Sequence, residues 1–449
     1  MSGNQSILSR SLQSVWHPCT QMKLHENFPL IPIQKGDGVW LIDKDSKRYL
    51  DAVSSWWVNL FGHNNPRIKD AIKLQLDTLE HVMLAGFTHV PVVELSEKLA
   101  KLTGLGHAFY ASDGASATEI ALKMSFHYWR NSGKPNKTQF ISLQNSYHGE
   151  TLGALGVTDV AIFKDTYAAL LMQSAQMPSP DFRLSELDES AEDFALRCAD
   201  DLERYVSQHH EQLAAFIIEP LVQCAAGMGM YHSIYLQRAR QICTQYHVHL
   251  IADEIAVGFG RTGSMFASYN DCDNACTFKI CTKKQDCRPD FMCLSKGITG
   301  GYLPLSCVLT KDEIYQAFYD DSAARGFLHS HSYTGNPLAC SAAIATLAIF
   351  ESDNVITSNQ AKSAYIQTKM QALTHSPIQH LRHQGMISAF DVVTHNPHFS
   401  KDCYAAALIH GLLIRPIGNT IYFMPPYTIT EPEIDFMIEA TVKVLQKVL

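Results

Sequence analysis

The sequence predicts an α/β protein: a large domain with a mostly parallel sheet, plus a smaller α+β domain assembled from both chain ends. Two observations carry this. Between about residues 108 and 310, short apolar runs alternate with amphipathic stretches, the pattern that βαβ units produce. Outside that span the pattern changes to short strands and long helices. The boundaries read as 1–65 and 336–449 for the smaller domain and 66–335 for the larger.

Taken in order, the N-terminal "GVWLIDKDSKRYLDAVSSWWVNL" reads as short antiparallel strands around a "DKDSKR" turn, because short apolar runs flank that polar segment. In the central region the predicted strands are Gln139–Leu143, Ala215–Glu219, His247–Asp253, Phe291–Ser295 and Ser306–Thr310. Helical patterns fall between them at Ser116–Arg130, Ala191–Ser207 and Ser233–Tyr246. Toward the end come long helices at Pro337–Glu351 and Ala361–Leu373, strands near Gly385–Val393 and Thr420–Met424, and a closing helix from Glu431.

Composition narrows the function. Charged residues at 18% and hydrophobic ones at 46% describe an ordinary globular enzyme with no room for long disorder. A net charge of −8, without blocks of like charge, argues against nucleic acid as a main partner. Met1–Ser14 is polar and lacks a signal-peptide core, and the apolar Leu338–Phe350 is too short to span a bilayer. The expected location is the cytoplasm, with no membrane partner and with the 12 cysteines largely reduced.

The chemistry begins at "DFMCLSKGITGGYLPLS". An apolar strand runs straight into Lys296, and an ammonium at the end of a buried strand is costly unless the side chain snorkels to solvent or the amine is put to use. The strand "HVHLIADE" delivers Asp253 at its own C-terminal end, where open α/β sheets place ligands. A strand-end Asp also serves as a cap, a metal ligand or a base. A lysine for a Schiff base and a carboxylate for a pyridinium nitrogen are the two groups that pyridoxal 5′-phosphate (PLP) chemistry demands. Such a cofactor needs a phosphate site, and "YASDGASATEIALKMS" offers the Gly114 and Ala115 amides at a helix start. It also needs an aromatic ring to stack on, and Tyr147 in "NSYHGET" suits that place.

Six stretches, "SDGASATEIALK", "NSYHGETLGAL", "IIEPLVQ", "IADEIAVGFGRTG", "DFMCLSKGITGGYLPLS" and "HSHSYTGNPLACSAA", stand in the order seen in the class III PLP-dependent aminotransferases. The chain resembles that family, of fold type I, over nearly its whole length. The resemblance implies that Lys296 carries the cofactor, Asp253 pairs its ring nitrogen, and Ile255 packs on the ring face opposite Tyr147. It implies that Ser332, with His331 beside it, reaches the phosphate of a neighbouring subunit in an obligate homodimer. "WHPCTQM", "SSWW" and "IRPIGNTIYFMPPYTIT" further resemble the biotin-pathway branch of the class. Its acceptor is 8-amino-7-oxononanoate and its donor S-adenosylmethionine, or lysine in some members. Cys19, Trp56, Tyr147, Lys296, Ser330 and Arg415 are then the substrate-binding residues, with Arg415 on the acceptor's carboxylate. The alternatives are another ω-amino acid or diamine aminotransferase, or a glutamate-1-semialdehyde-type aminomutase.

Two stretches depart from the family. Cys19 stands where an aromatic residue is usual after "WHP". The connection holding Cys272, Cys276, Cys281 and Cys287 is longer than the family's. Its spacings lack paired CxxC, so it reads as a solvated insertion rather than a metal site.

Overall fold

The computed structural model describes residues 3–449 apart from 27, 29, 173, 270–287 and 374–376. The four cysteines of the insertion lie outside the described residues. The chain divides into two compact units, one of residues 67–360 with 383–386, the other of residues 1–66, 361–382 and 387–449.

The larger unit is organised by a seven-stranded sheet: β1 (His107–Ala111), β2 (Gln139–Leu143), β3 (Ala175–Met177), β4 (Leu213–Ile218), β5 (His249–Asp253), β6 (Phe291–Leu294) and β7 (Ser306–Thr310). Their order across the sheet is β1-β7-β6-β5-β4-β2-β3. Neighbours from β6 through β3 run parallel, whereas β7 is antiparallel to both β6 and β1. The strands predicted from apolar runs are present within two residues at each end. Of the two outer ones, β3 is only three residues long and β1 is partly exposed along its first three residues, so neither stands out as a buried run.

β4 and β6 are buried at every position, because helices cover both faces of a parallel sheet. The helix Gly114–Asn131 lays Ala117, Ile120, Ala121 and Met124 against Ile217, Ile251, Phe291 and Val308 of the strands. Each large apolar side chain so buried contributes about 1.5–3 kcal/mol. Parallel strands all end on one side, so Asp253, the last residue of β5, and Glu219 and Lys296, just past β4 and β6, stand at the ends of adjacent strands.

In the smaller unit Trp40–Asp43 pairs antiparallel with Arg48–Asp51, as the "DKDSKR" turn predicts. Leu412–Leu413 adds to that sheet in parallel, with Leu413 opposite Asp51. A second antiparallel pair joins Ile387–Val392 to Thr420–Phe423, and the chain closes with the helix Glu431–Val448. The helix predicted from Ala361 begins earlier, at Val355, because a left-handed Asn354 (φ 47°) turns the chain directly after the helix Pro337–Ser352.

"SSWW" is not the end of a strand. Ser54, Ser55, Trp56 and Trp57 all have positive φ (49°, 47°, 71° and 71°), forming a left-handed turn. L-residues disfavour this by about 1–2 kcal/mol each, so the surroundings must hold it. Among the described residues no single helix is long and apolar enough to cross a membrane.

Candidate active site

Four segments of the larger unit converge beyond the strand ends. The first is the start of the helix Gly114–Asn131, where the Asp113 carboxylate caps the Ser116 amide at 2.9 Å. The first-turn amides before it have no partner within the helix, and the helix dipole makes them an anion site. The second is the loop Tyr147–Gly149. Gly149 has φ +123°, and a Cβ there would lie 2.6 Å from the Ala115 side chain, so only glycine lets the loop touch the helix start. The Thr118 hydroxyl donates to the His148 carbonyl at 2.9 Å and ties the two together.

The third segment follows β5. Asp253 is buried, and its Oδ1 accepts from the Ile255 amide at 3.1 Å. Its Oδ2 accepts from His148 Nδ1 at 2.7 Å. An ionised carboxylate only accepts, so Nδ1 carries the hydrogen. Ile255 is buried against the helix start, its methyl groups 3.0–3.1 Å from where a Cβ on Gly114 would be. The fourth segment is Lys296, partly exposed, with a left-handed φ of 45°. Burial lowers the pKa of its amine, while the negative charge of Asp253, and then Cys224 and Glu219, pulls it back up.

Sequence reasoning missed two members of this cluster. His148, fully buried, supports Asp253 from behind, and its Nε2 has no hydrogen-bond partner. Glu219 accepts from the amides of Tyr147 at 3.0 Å and Cys224 at 3.2 Å. Burial pushes its pKa up to about 7, with His148 opposing and the Asp253 charge adding to the rise. Both lie inside stretches quoted above. The available signal was a polar residue at the end of an apolar run for Glu219; for His148 there was only its place next to Tyr147.

The other predicted residues are distributed as follows. Tyr147 is partly exposed; its hydroxyl donates to Glu150 at 2.9 Å and its ring meets Phe163 edge-on at 5.3 Å. His331 lies on its own chain's Ser112, with Nε2 3.0 Å from the hydroxyl, and its Nδ1 accepts from the Tyr333 amide at 3.2 Å. That leaves Nε2 as the donor of a neutral ring. Ser330 and Ser332 are exposed, and the Ser332 carbonyl accepts from His81 at 2.7 Å. In the smaller unit, the Arg415 guanidinium sits 4.5 Å from the centre of the Trp56 ring. Cys19 is exposed, at φ 54° in the turn after His17.

Residues 21–445 match the model of the aminotransferase class III family. The chain belongs to the class III aminotransferases. It is 46% identical over 455 residues to the adenosylmethionine-8-amino-7-oxononanoate aminotransferase of Helicobacter pylori, covering 100% of this chain and 99% of the relative. The crystal structure of the enzyme of that name from Methanocaldococcus jannaschii superimposes with a TM-score of 0.89 at 35% identity, covering 99% of each chain. An amine transaminase from an uncultivated Pseudomonas species, in its PLP-bound form, gives 0.89 at 30% identity, over 97% of this chain and 99% of that one.

As a class III aminotransferase the protein has fold type I and uses PLP. The donor set fits that group. An amine whose pKa burial lowers, a carboxylate fixed by an imidazole, and helix-start amides without a partner in the helix are what an aldehyde, a ring nitrogen and a phosphate require.

Proposed function

We propose that this aminotransferase transfers an amino group to 8-amino-7-oxononanoate, forming 7,8-diaminononanoate in biotin biosynthesis, with S-adenosylmethionine as donor. The observation that carries this reading is Arg415 lying on the face of Trp56. A guanidinium backed by an indole keeps its in-plane N–H fork for a carboxylate, and the aromatic wall beside it suits the acceptor's methylene chain. Full-length relatives that carry the reaction in their names support it.

In this reading Lys296 holds the cofactor and moves the proton from the substrate's Cα, while Asp253 keeps the ring nitrogen charged. Gly114 and Ala115 amides take the phosphate, and Ile255 and Tyr147 cover the two ring faces. When bound, PLP supplies an electron sink for the carbanion left at Cα. Burial makes the Lys296 amine lose its proton more readily than in water, the direction that a base requires.

Arg415→Ala is expected to raise the KM for 8-amino-7-oxononanoate about ten- to a hundredfold, the value of a lost charge-assisted pair of about 1.5–3 kcal/mol. The donor half-reaction uses the same lysine at a different time and serves as an internal control. Equal damage to both half-reactions would show that Arg415 does not anchor the acceptor.

We also propose a homodimer in which Ser332 and His331 of one subunit complete the partner's phosphate site. The larger unit leaves Leu74, Val90, Ile162, Leu170, Met172 and Leu328 at least 65% exposed, apolar side chains available to an interface. PLP binding and dimerisation should therefore be linked. Sedimentation of the apo and holo forms tests this, and a monomer binding PLP at full strength would contradict it. A cytoplasmic location is supported by the eight described cysteines, all of them free.

A further inference from the structure

The left-handed turn at Ser54–Trp57 requires an explanation, because four consecutive non-glycine residues do not adopt it unaided. Its own bonds are those of a single turn, from the Trp57 amide to the Val53 carbonyl at 2.9 Å and from Val58 to Ser54 at 3.0 Å. Most of the other holders meet on one residue. Asp51 is fully buried, and its Oδ2 accepts from the Ser55 hydroxyl at 2.7 Å and from His63 Nε2 at 3.0 Å. Its Oδ1 accepts from the Val53 amide at 3.3 Å. His63 is itself oriented, since its Nδ1 faces the Asn59 amide nitrogen at 3.1 Å and so must accept, leaving Nε2–H for Asp51.

The turn decides where two indoles go. Trp57 is 5% exposed, its Nε1 donating to the Tyr422 hydroxyl at 3.1 Å, whereas Trp56 is 42% exposed and lies against Arg415. The other arm of that pair is fixed at the same place. Leu413 is opposite Asp51 in the sheet, and its carbonyl accepts from the Ala52 amide at 3.1 Å. Arg415 follows two residues later. The Asp51 side chain thus controls the turn that carries Trp56, and its backbone adjoins the strand that delivers Arg415.

We propose that Asp51 is a positioning residue for substrate specificity: through Ser55 and His63 it locks the left-handed turn, and so sets Trp56 under the Arg415 guanidinium that receives the acceptor's carboxylate. This rests on the reading of Arg415 given above. The indole covers one face of the guanidinium and limits its rotation, so its edge meets a carboxylate in plane. A loosened turn would cost acceptor binding while leaving the lysine chemistry alone.

Asp51→Asn keeps the shape but turns an amide NH₂ toward a hydroxyl, an imidazole N–H or a backbone N–H. In the PLP-loaded enzyme it should raise the acceptor's KM about tenfold, with the donor half-reaction, followed by cofactor absorbance, within about twofold of the parent. Ser55→Ala, which removes one bond only, should move the acceptor's KM in the same direction by about threefold, and it stands in if Asp51→Asn fails to fold. In the Asp51→Asn/Arg415→Ala double variant the acceptor's KM should be no higher than in Arg415→Ala alone. Multiplying effects, or equal loss in both half-reactions, would make Asp51 merely structural and overturn the proposal. A substrate-free readout separates this from failure of the anchor reading. The near-ultraviolet circular dichroism contributed by Trp56, taken as parent minus Trp56→Phe, should collapse in the Asp51→Asn background. If it persists unchanged, the positioning proposal fails even when Arg415→Ala raises the acceptor's KM. If it collapses while Arg415→Ala leaves that KM untouched, the anchor reading is the one that fails.

Discussion

Lys296→Ala should lower the transamination rate by at least about 10⁴-fold, because one amine serves as both covalent attachment point and proton carrier. The structure explains why no neighbour can substitute. Lys296 is held at a left-handed φ of 45° just after the buried strand β6, and its amine titrates under the influence of Asp253, Cys224 and Glu219. Cys224 is a poor stand-in, since burial drives its thiol well above the usual range. Glu219 is already committed to two backbone amides. The variant should still bind PLP, through the helix-start amides and Asp253, but without the absorbance of the lysine-bound form. Dialysis would then strip the cofactor faster than from the parent. Normal turnover by Lys296→Ala would remove the lysine from the mechanism altogether.

The features legible in the sequence are those where burial and chemistry conflict in one dimension. Apolar runs ending abruptly in Glu219, Asp253 and Lys296 give both the sheet and its ligand side, because a parallel sheet covered on both faces keeps its strands mostly apolar. The helix start at Gly114 is legible for the same reason, as a loop of small residues opening an amphipathic run. Other features depend on contacts remote in sequence. His148 supports Asp253 across 105 positions of the chain, and no local pattern distinguishes it from a loop histidine. "SSWW" follows closely on a strand segment, and no glycine or proline before it marks the strand's end. What overrides that reading is Asp51, together with the Ser54 hydroxyl donating to the Met424 carbonyl at 2.6 Å, 370 residues away. The role of Cys19 rests on resemblance alone. Resemblance assigns it a substrate contact, and the structure shows an exposed thiol in a turn.

Asp253→Asn should lower turnover about 10²–10³-fold, on the order of 3–4 kcal/mol in the barrier, as for other preorganised electrostatic groups. The carboxylate lies at the buried end of β5, where little water screens it and a single negative charge would hold a ring proton strongly. An asparagine keeps the volume but loses the charge. It also disturbs the 2.7 Å bond, because an amide nitrogen facing His148 Nδ1 would force that ring into its other tautomer. A second observable follows from Glu219. Its pKa, pushed up to about 7 by burial with the Asp253 charge contributing, should fall in the variant once that charge is gone. Any pH dependence of cofactor absorbance that reports this carboxylate should therefore move toward lower pH in Asp253→Asn. His148→Phe should reproduce part of the rate loss, since it leaves the charge but removes the hydrogen bond that orients it. An Asp253→Asn enzyme that turns over like the parent would show that the carboxylate merely closes the strand end through the Ile255 amide. In that case the ring proton would have to be held by another group, and Glu219 is the titratable group whose measured shift would then have to account for it.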